Sequence, residues 1–576
     1  MTTPDEAAYL EIEGRIVSLL PACQFRVEMD NKHLVVATVS SKMWKRWVRL
    51  TVGDRVKMEM APYDLHRARI TWRLKKSEIM PHPLIIQGGM GVGVSGWPLA
   101  RAVSALGQLG GVSGTALAVV LARRLQLGDP GGEMRHALAQ FPFPGMVTRI
   151  LLDYFIPGGK SASVPFKLTP MPTLRSRRSL VELTVVANFV EVFLAKEGHQ
   201  GPVGINYLEK IQLPTLPSLY GAMLADVDFI LMGAGIPRAV PGALDLLARG
   251  QSASLPVDVE GALPNEKHAA IFDPKNFCSG PPPELKRPFF LGIIASATLA
   301  LTLAKKASGR VDGFIVEGAT AGGHNAPPRG PLQLSPEGEP IYGPRDVAEL
   351  DKIRALGLPF WLAGGFGRPG KLAEALSLGA TGTQVGTPFA FCEESGIQPE
   401  IKRQAIALSR LGQARVFTDP VASPTGFPFK VAQLPDTLSD AAHYQARSRL
   451  CDLGYLRHLY RKPDGDIGYR CPAEPIENYL HKGGTTEETL GRKCICNALS
   501  ATVGLSQVCA DGLDELPLVT TGDDFSLLAQ FLRPGCDSFS AADVLHQLLP
   551  PEPLSNTICA QASAPVLEPI GLTGTS

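Results

Sequence analysis

The sequence predicts an α/β protein organised around a (β/α)8 barrel of TIM type. A five-stranded β-barrel precedes it and a small, mainly helical C-terminal region follows. Three observations lead there. Eight short apolar runs recur between residues 83 and 385, with helix-like stretches between most of them. Several of these runs empty into glycine-rich loops, the pattern of buried parallel strands that end in a working face. The composition also changes abruptly near the start: Tyr9–Lys76 holds 14 Lys/Arg against 7 Asp/Glu. That surplus of +7 in a chain of net +1 leaves the remainder at −6, the signature of a basic module on a mildly acidic body.

At 576 residues the chain is too long for one typical domain. Three are expected: 1–78, 79–450 with insertions at 131–180 and 251–287, and 451–576. Hydrophobic residues make up 45% and charged residues 19%, enough for a large core and against wholesale disorder. Ten cysteines without small-domain spacing favour a reducing compartment. Met1–Leu10 carries Asp5 and Glu6 and no apolar run, so no secretory signal is expected and a cytoplasmic location is. The uncharged run between Arg287 and Lys305 is short for a membrane span and holds Ser296, Thr298 and Thr302; it reads as a buried strand followed by a helix.

In the first 78 residues, Gly14–Leu19, Gln24–Met29, His33–Val39 and Arg55–Met60 show partial period-two alternation, separated by Pro21, Asp30–Asn31 and Gly53–Asp54. Five strands, with a helical piece near Ser41–Leu50, make a small barrel of the oligonucleotide-binding type. Lys42, Lys45, Arg46, Arg49, Arg67, Arg69 and Arg73 interleave with Trp44, Trp47, Tyr63 and Trp72. Cations hold phosphates and flat rings stack on unpaired bases, so a single-stranded nucleic acid is the expected ligand. The landmarks LP-x-x-x-FRVE, S-x-KM-x-K, GD-x-V and PYDL-x-x-x-RI resemble bacterial translation initiation factor one over nearly its whole length. The resemblance implies an S1-type barrel that binds ribosomal RNA of the small subunit, through Lys42, Lys45, Arg46, Arg49, Tyr63, Arg67 and Arg69. Trp44 and Trp47 depart from the family pattern, and some 500 residues follow where a stand-alone factor would end.

Pro81–His82–Pro83 marks the linker. The barrel strands are then PLIIQGG, Gly110–Ser113, Pro202–Asn206, Val227–Met232, Phe289–Ile294, Val311–Val316, Pro359–Leu362 and Thr381–Val385. Helices are expected at Pro98–Leu106, Ala222–Ala225, Pro241–Ala248 and Lys371–Leu378. Gly91-x-Gly93-x-x-Gly96 formally fits a dinucleotide fingerprint, yet no Asp or Glu lies between Trp97 and Gly128 to hold a ribose. Its glycines serve equally to let a flat ring lie against the strand end.

The central stretch is Val311–Gly330. Gly322 and Gly323 let backbone approach a ligand, and His324 is the one side chain there that exchanges a proton near neutral pH. Gly364–Gly365 and Gly386–Thr387 end the last two strands, where barrel phosphate sites are commonly built. A phosphate-bearing cofactor across the mouth follows, and FMN fits a barrel best.

IIQGGMGVGVSG, GINYLEK, EGATAGGHNAPPRG, LAGGFG and GATGTQVGTPF together resemble the nitronate monooxygenase (2-nitropropane dioxygenase) family, from Pro83 to about Phe391. The resemblance implies FMN on Gly88, Gly89, Met90, Asn206, Gly322, Gly323, Gly364, Gly365, Gly386 and Thr387, with His324 catalytic. It implies oxidation of a nitronate or nitroalkane with O2 to a carbonyl compound and nitrite. Asn325–Pro328 depart from the Arg-Gly that usually follows the family's histidine. Two alternatives stand beside this. One is a trans-acting enoyl reductase of fatty acid or polyketide synthesis, which shares IIQGGMGVGVSG. The other is an initiation factor carrying an accessory barrel. No membrane partner is expected.

In the tail, Cys451, Cys471, Cys494 and Cys496 could hold zinc or an iron–sulfur cluster. Their spacing is not that of a standard finger, so buried free thiols are expected and no metal is assigned. Gly483–Gly491 reads as a surface loop, Asp523–Phe531 and Ala541–Leu549 as amphipathic helices, and Pro550–Ser576 as frayed.

Overall fold

The computed structural model describes residues 10–20, 24–29, 32–41, 43, 50, 52, 54–61, 64, 66–73, 82–278, 280–509 and 511–550. In the head, β1 (Leu10–Leu20), β2 (Gln24–Met29), β3 (Leu34–Val39), β4 (Arg55–Met60) and β5 (Arg67–Arg73) close into a barrel in the order β1-β2-β3-β5-β4. Alternation explains the closure: Val27, Val35, Val56, Met58 and Ile70 point inward and are almost wholly buried, while their neighbours face water. β1 serves two partners at once, pairing with β2 and β4 around Gly14. A Cβ there would sit 2.7 Å from Val27 Cγ1, so the crossing requires glycine. The helical piece expected near Ser41–Leu50 lies mostly outside the described residues.

The second barrel follows the expected strands. β6 (Ile85–Gln87), β7 (Gly110–Ser113), β8 (Val203–Leu208) and β9 (Phe229–Gly233) come first. An excursion then carries β10 (Ala253–Pro256), β11 (Val259–Glu260) and β12 (Ala269–Phe272) before β13 (Phe289–Ile294) and β14 (Gly313–Glu317). The two-residue β15 (Gly323–His324) precedes β16 (Phe360–Ala363) and β17 (Gly382–Val385). The eight barrel strands run in parallel in the order β6-β17-β16-β14-β13-β9-β8-β7. A parallel bridge between Ile86 and Leu109 joins the seam. Ile86, Leu109, Phe229, Leu231, Leu291, Ile315, Trp361 and Ala363 fill the interior. Their strand neighbours, such as Ile230, Phe290, Phe314 and Phe360, pack outward against the helices. Trp361 is wholly buried and its Nε1 donates to Pro83 O at 2.7 Å, which satisfies the indole.

Helices at Trp97–Ala105, Val240–Ala248 and Lys371–Ser377 match the expected positions within a residue. The helix expected at Ala222–Ala225 is longer, Thr215–Leu224, and includes Pro217 in its first turn, where a proline costs no hydrogen bond. After the barrel come β18 (Val416–Asp419), β19 (Phe429–Ala432), β20 (His458–Arg461) and β21 (Ile467–Arg470). β19 pairs with both β15 and β18, and β20 pairs with β11 and β21, so chain from both sides of residue 450 braces the barrel's excursions. Ala541–Leu548 is an α-helix as expected, capped by Ser540. Asp523–Phe531 is helical over the expected bounds, in the 3-10 form. No helix among the described residues is long and apolar enough to cross a membrane.

The head meets the barrel through a buried charge cluster. Arg73 donates to Asp54 within the head and to Asp226 of the barrel, each at 2.9 Å. Lys196 and Lys286 complete the group on Asp228, at 2.9 and 3.1 Å. Burial alone would raise the Asp226 carboxyl, but Lys196, Arg73 and Lys286 hold it well below the usual carboxylate range. Asp226 and Asp228 immediately precede β9, so the head sits at the end of the barrel where strands begin.

Candidate active site at the barrel mouth

All eight barrel strands end in one pocket with a cavity of about 210 Å3. Gly88, Gly89 and Met90 follow β6, Asn206 lies on β8, and Glu317 ends β14. Gly322, Gly323 and His324 come next, then Gly364 and Gly365 after β16, and Gly386 and Thr387 after β17. Every cofactor residue expected from the sequence therefore lines the same cavity as His324. Two glycines show why side chains are missing. A Cβ on Gly89 would lie 2.4 Å from Asn206 Cβ. Gly364 has φ +86° and would place a Cβ 3.0 Å from Ala321 N, so it is both left-handed and crowded.

His324 is held from three sides. Its Nε2 lies 2.6 Å from the Ser423 hydroxyl, and its ring packs 4.7 Å from Phe429 and edge-on to Phe427 at 6.5 Å. Burial, aided by the Lys210 charge, holds its pKa well below the ordinary histidine value, so the imidazole is neutral at pH 7. Lys210 reaches the Thr425 hydroxyl at 3.4 Å and lies 4.3 Å over the Phe427 ring. Burial brings Lys210 down to about 7, against the pull of Glu317. Burial pushes Glu317 up to about 7, against the pull of Lys210. Lys210 and Glu317 stand inside the quoted runs GINYLEK and EGATAGGHN, yet only the fold brings residues 107 positions apart into one field.

The tail contributes part of the wall, which nothing in its residue pattern announces. Tyr455, Cys496, Thr520, Thr521 and Gly522 line the cavity. Residues 522–524 also stitch three loops together. Asp523 N donates to Thr320 O at 3.1 Å, Gly522 N to Thr387 Oγ1 at 2.9 Å, and Gly367 N to Asp524 Oδ2 at 3.0 Å. A Cβ on Gly322 would lie 2.7 Å from Gly522 N, so the small residue is needed for this crossing. The Thr387 hydroxyl accepts from Gly522 and keeps its own proton free to donate.

The pocket fits a flat, phosphate-bearing cofactor. Its walls carry glycines where side chains would intrude. Gln384 Oε1 and Thr521 Oγ1 are buried in it without a hydrogen-bond partner, a cost that a polar ligand would relieve. In the head, Arg67 and Arg69 lie on β5, Arg69 paired with Glu59 at 2.7 Å, and Trp72 is 50% exposed nearby. Lys42, Lys45, Arg46, Arg49 and Tyr63, with Trp44 and Trp47, lie outside the described residues.

Residues 286–423 match the family model for nitronate monooxygenase, and residues 1–83 match that for translation initiation factor 1A / IF-1. Among solved structures, FabK from Thermotoga maritima aligns at 16% identity over 81% of this chain and 92% of that one, with a TM-score of 0.41. Nitroalkane oxidase from Streptomyces ansochromogenes aligns at 15% identity over 81% and 94%, with a TM-score of 0.38. Translation initiation factor one of the Wolbachia endosymbiont strain TRS of Brugia malayi aligns at 38% identity over 14% of this chain and 93% of that one, with a TM-score of 0.12. The chain thus joins a head, residues 1–83, that matches translation initiation factor 1A / IF-1 to a barrel whose residues 286–423 match nitronate monooxygenase.

Proposed function

We propose that the barrel is an FMN-dependent oxidoreductase that oxidises nitronates or nitroalkanes with O2 to a carbonyl compound and nitrite. The observation that carries this reading is the convergence of a glycine-walled cradle and a neutral, buried His324 in one pocket. FMN, when bound, supplies the electron exchange between substrate and oxygen. The chain's own residues do the rest. Gly364, Gly365 and Gly386 leave room for a phosphate and Thr387 donates to it. Gln384 and Thr521 offer acceptors to the ring system. A neutral imidazole is the form that accepts a proton, so His324 acts as general base on the carbon acid of a neutral nitroalkane. Lys210, whose charge reaches the His324 ring, would act on the resulting anion when protonated.

The head is proposed to bind small-subunit ribosomal RNA. This rests on its closed five-stranded barrel with Arg67 and Trp72 on one strand, and on the family match of residues 1–83. Two measurements test the barrel reading. Acid-released flavin should be FMN at about one per chain, and anaerobic mixing with a nitronate should bleach it. Bleaching by an enoyl thioester or NAD(P)H, with none by nitronates, would move the barrel to the enoyl reductases and out of this reading. For the head, affinity for small-subunit ribosomal RNA should fall steeply with added salt, as release of counterions from phosphates demands.

A further inference from the structure

Four side chains form one hydrogen-bonded line that starts at the candidate base and ends at a lysine. His324 Nε2 lies 2.6 Å from Ser423 Oγ, and Ser423 Oγ lies 2.8 Å from Thr425 Oγ1. Lys210 Nζ lies 3.4 Å from the same Thr425 oxygen. A hydroxyl both donates and accepts, so each link can pass a proton in either direction. We propose that Ser423, Thr425 and Lys210 form a relay that carries away the proton His324 takes from its substrate. The inference rests on the carbon-acid reading of the site and names the residues that complete it.

Three features distinguish the line from a scaffold that only orients the ring. First, it runs outward. Ser423 is wholly buried, whereas Thr425 and Lys210 are half-buried, so its far end reaches the rim of the site. Second, its flanks are apolar. The Phe427 ring lies 4.3 Å from Lys210 Nζ and 6.5 Å from the imidazole, and Phe429 covers the imidazole at 4.7 Å. These rings offer a proton no other stopping place. Third, the line is longer than orientation requires. Ser423 alone would hold Nε2, and its loop is already fixed by Arg492 on its carbonyl and by Thr425 N, which donates to Ser423 Oγ at 3.3 Å. Lys210 comes from a separate part of the chain, just after β8. Its charge lowers the His324 pKa, so a permanent cation there would work against a base. A lysine that can give up its proton would not. Burial brings Lys210 down to about 7, against the pull of Glu317 and Glu209, which face it.

The step balances. Nε2 is engaged by Ser423, so Nδ1 is the nitrogen left for the substrate. The carbon–hydrogen bond of a nitroalkane breaks, its electron pair stays on the carbon and nitro group, and the proton joins Nδ1. Nε2 then releases its proton to Ser423, Ser423 passes its own to Thr425, and Thr425 passes its own to the neutral amine of Lys210. One proton moves and nothing is oxidised or reduced. The imidazole returns to the neutral form that burial favours, and the new ammonium faces the carboxyl groups of Glu317 and Glu209.

The test compares anaerobic flavin reduction by a nitroalkane with reduction by its preformed nitronate, which has no such proton to lose. Thr425→Val keeps the branched shape and removes the hydroxyl. It should slow the nitroalkane by about 10-fold relative to the nitronate, a part of the about 10²–10⁴-fold that a general base supplies. Thr425→Ser should restore the ratio. Lys210→Arg keeps the charge but cannot take up a proton, so it should lower the ratio as Thr425→Val does. In the wild type the nitroalkane rate should rise as pH passes about 7, where Lys210 becomes neutral. Lys210→Arg should lose that rise, and Glu317→Gln should move it to lower pH, because Glu317 raises the Lys210 pKa. An unchanged ratio in Thr425→Val, or equal slowing of both substrates, would overturn the relay. So would full nitroalkane reduction in Lys210→Arg, which decides the matter if Thr425→Val does not fold. Wild-type protein reduced by neither substrate would instead remove the carbon-acid reading, and the relay with it.

Discussion

His324 Nε2 and the Ser423 hydroxyl stand 2.6 Å apart, joined across 99 residues of chain. β15 carries the histidine and pairs with β19, while Ser423 precedes that pair in the loop after β18. Ser423 is fixed in turn by Thr425 at 2.8 Å and by Arg492, whose guanidinium donates to Ser423 O at 2.6 Å. The imidazole thus has one orientation. His324→Ala should lower nitroalkane turnover by about 10²–10⁴-fold while FMN content stays the same. Ser423→Ala should cost less, since it removes the orientation and leaves the base. Steady-state rates on flavin-normalised protein decide this, and unchanged turnover in His324→Ala would remove the histidine from the reaction.

The cradle can be tested by filling it. A Cβ on Gly88 would meet the Gln384 side chain at 3.6 Å, an ordinary contact, so Gly88→Ala should fold normally. It should nonetheless purify with less FMN, because the added methyl narrows the pocket wall. Extracted flavin and the melting temperature are measured together; full flavin occupancy in a stable variant counts against this wall as the binding surface.

The Lys210–Glu317 couple gives stability an unusual pH dependence. Between the ordinary glutamate value of 4.5 and about 7, the folded protein holds a proton on Glu317 that the unfolded chain has released. Raising pH through that window therefore costs stability. Between about 7 and the ordinary lysine value of 10.5, the unfolded chain holds a proton that folded Lys210 has released, so raising pH there restores stability. The pair alone predicts a minimum near pH 7. Denaturant unfolding across pH should show a shallower minimum in Lys210→Met/Glu317→Gln. Lys210→Met should also raise the His324 pKa, since the lysine charge lowers it; a ring titration followed by NMR reads this directly.

Asp226 ties the head to the barrel. It has φ +57°, which asparagine tolerates, so Asp226→Asn tests charge without backbone strain. Loss of the carboxylate leaves Arg73 with Asp54 only and should cost about 2 kcal/mol. The same contribution is present at neutral pH and disappears as pH falls through the depressed pKa of Asp226. Limited proteolysis should release the head sooner from the variant. Equal cleavage rates at pH 7 would show that other contacts hold the two parts together.

On the head, Arg67→Ala should weaken RNA binding similarly across sequences and reduce the salt slope by about one. Trp72→Ala should weaken it by about 1–3 kcal/mol without changing the slope, as loss of a stacking ring does. Titrations at several salt concentrations separate the two. Binding insensitive to salt would exclude phosphate contacts as its source.

Much of the fold was readable because burial leaves a continuous mark. Runs such as Phe289–Ile294 and Phe360–Ala363 are apolar at every position, as strands covered on both faces must be. That the glycine pairs and His324 would gather at one mouth was readable, because each follows a buried apolar run at a strand end. Long-range charge was not. Nothing local in GINYLEK says that Lys210 will share a field with Glu317, or that both will be stripped of water. Thr520–Gly522 carry no distinctive chemistry, so their crossing over the loops of Thr320 and Thr387 could not be foreseen.

The Arg73–Asp226 contact fixes the head beneath the barrel, at the opposite pole from His324. A macromolecule gripping the head from outside would meet only the blunt underside of the enzyme. Small molecules would still come and go at the far pole. The two ligands need not compete, and turnover measured with saturating RNA should match turnover without it.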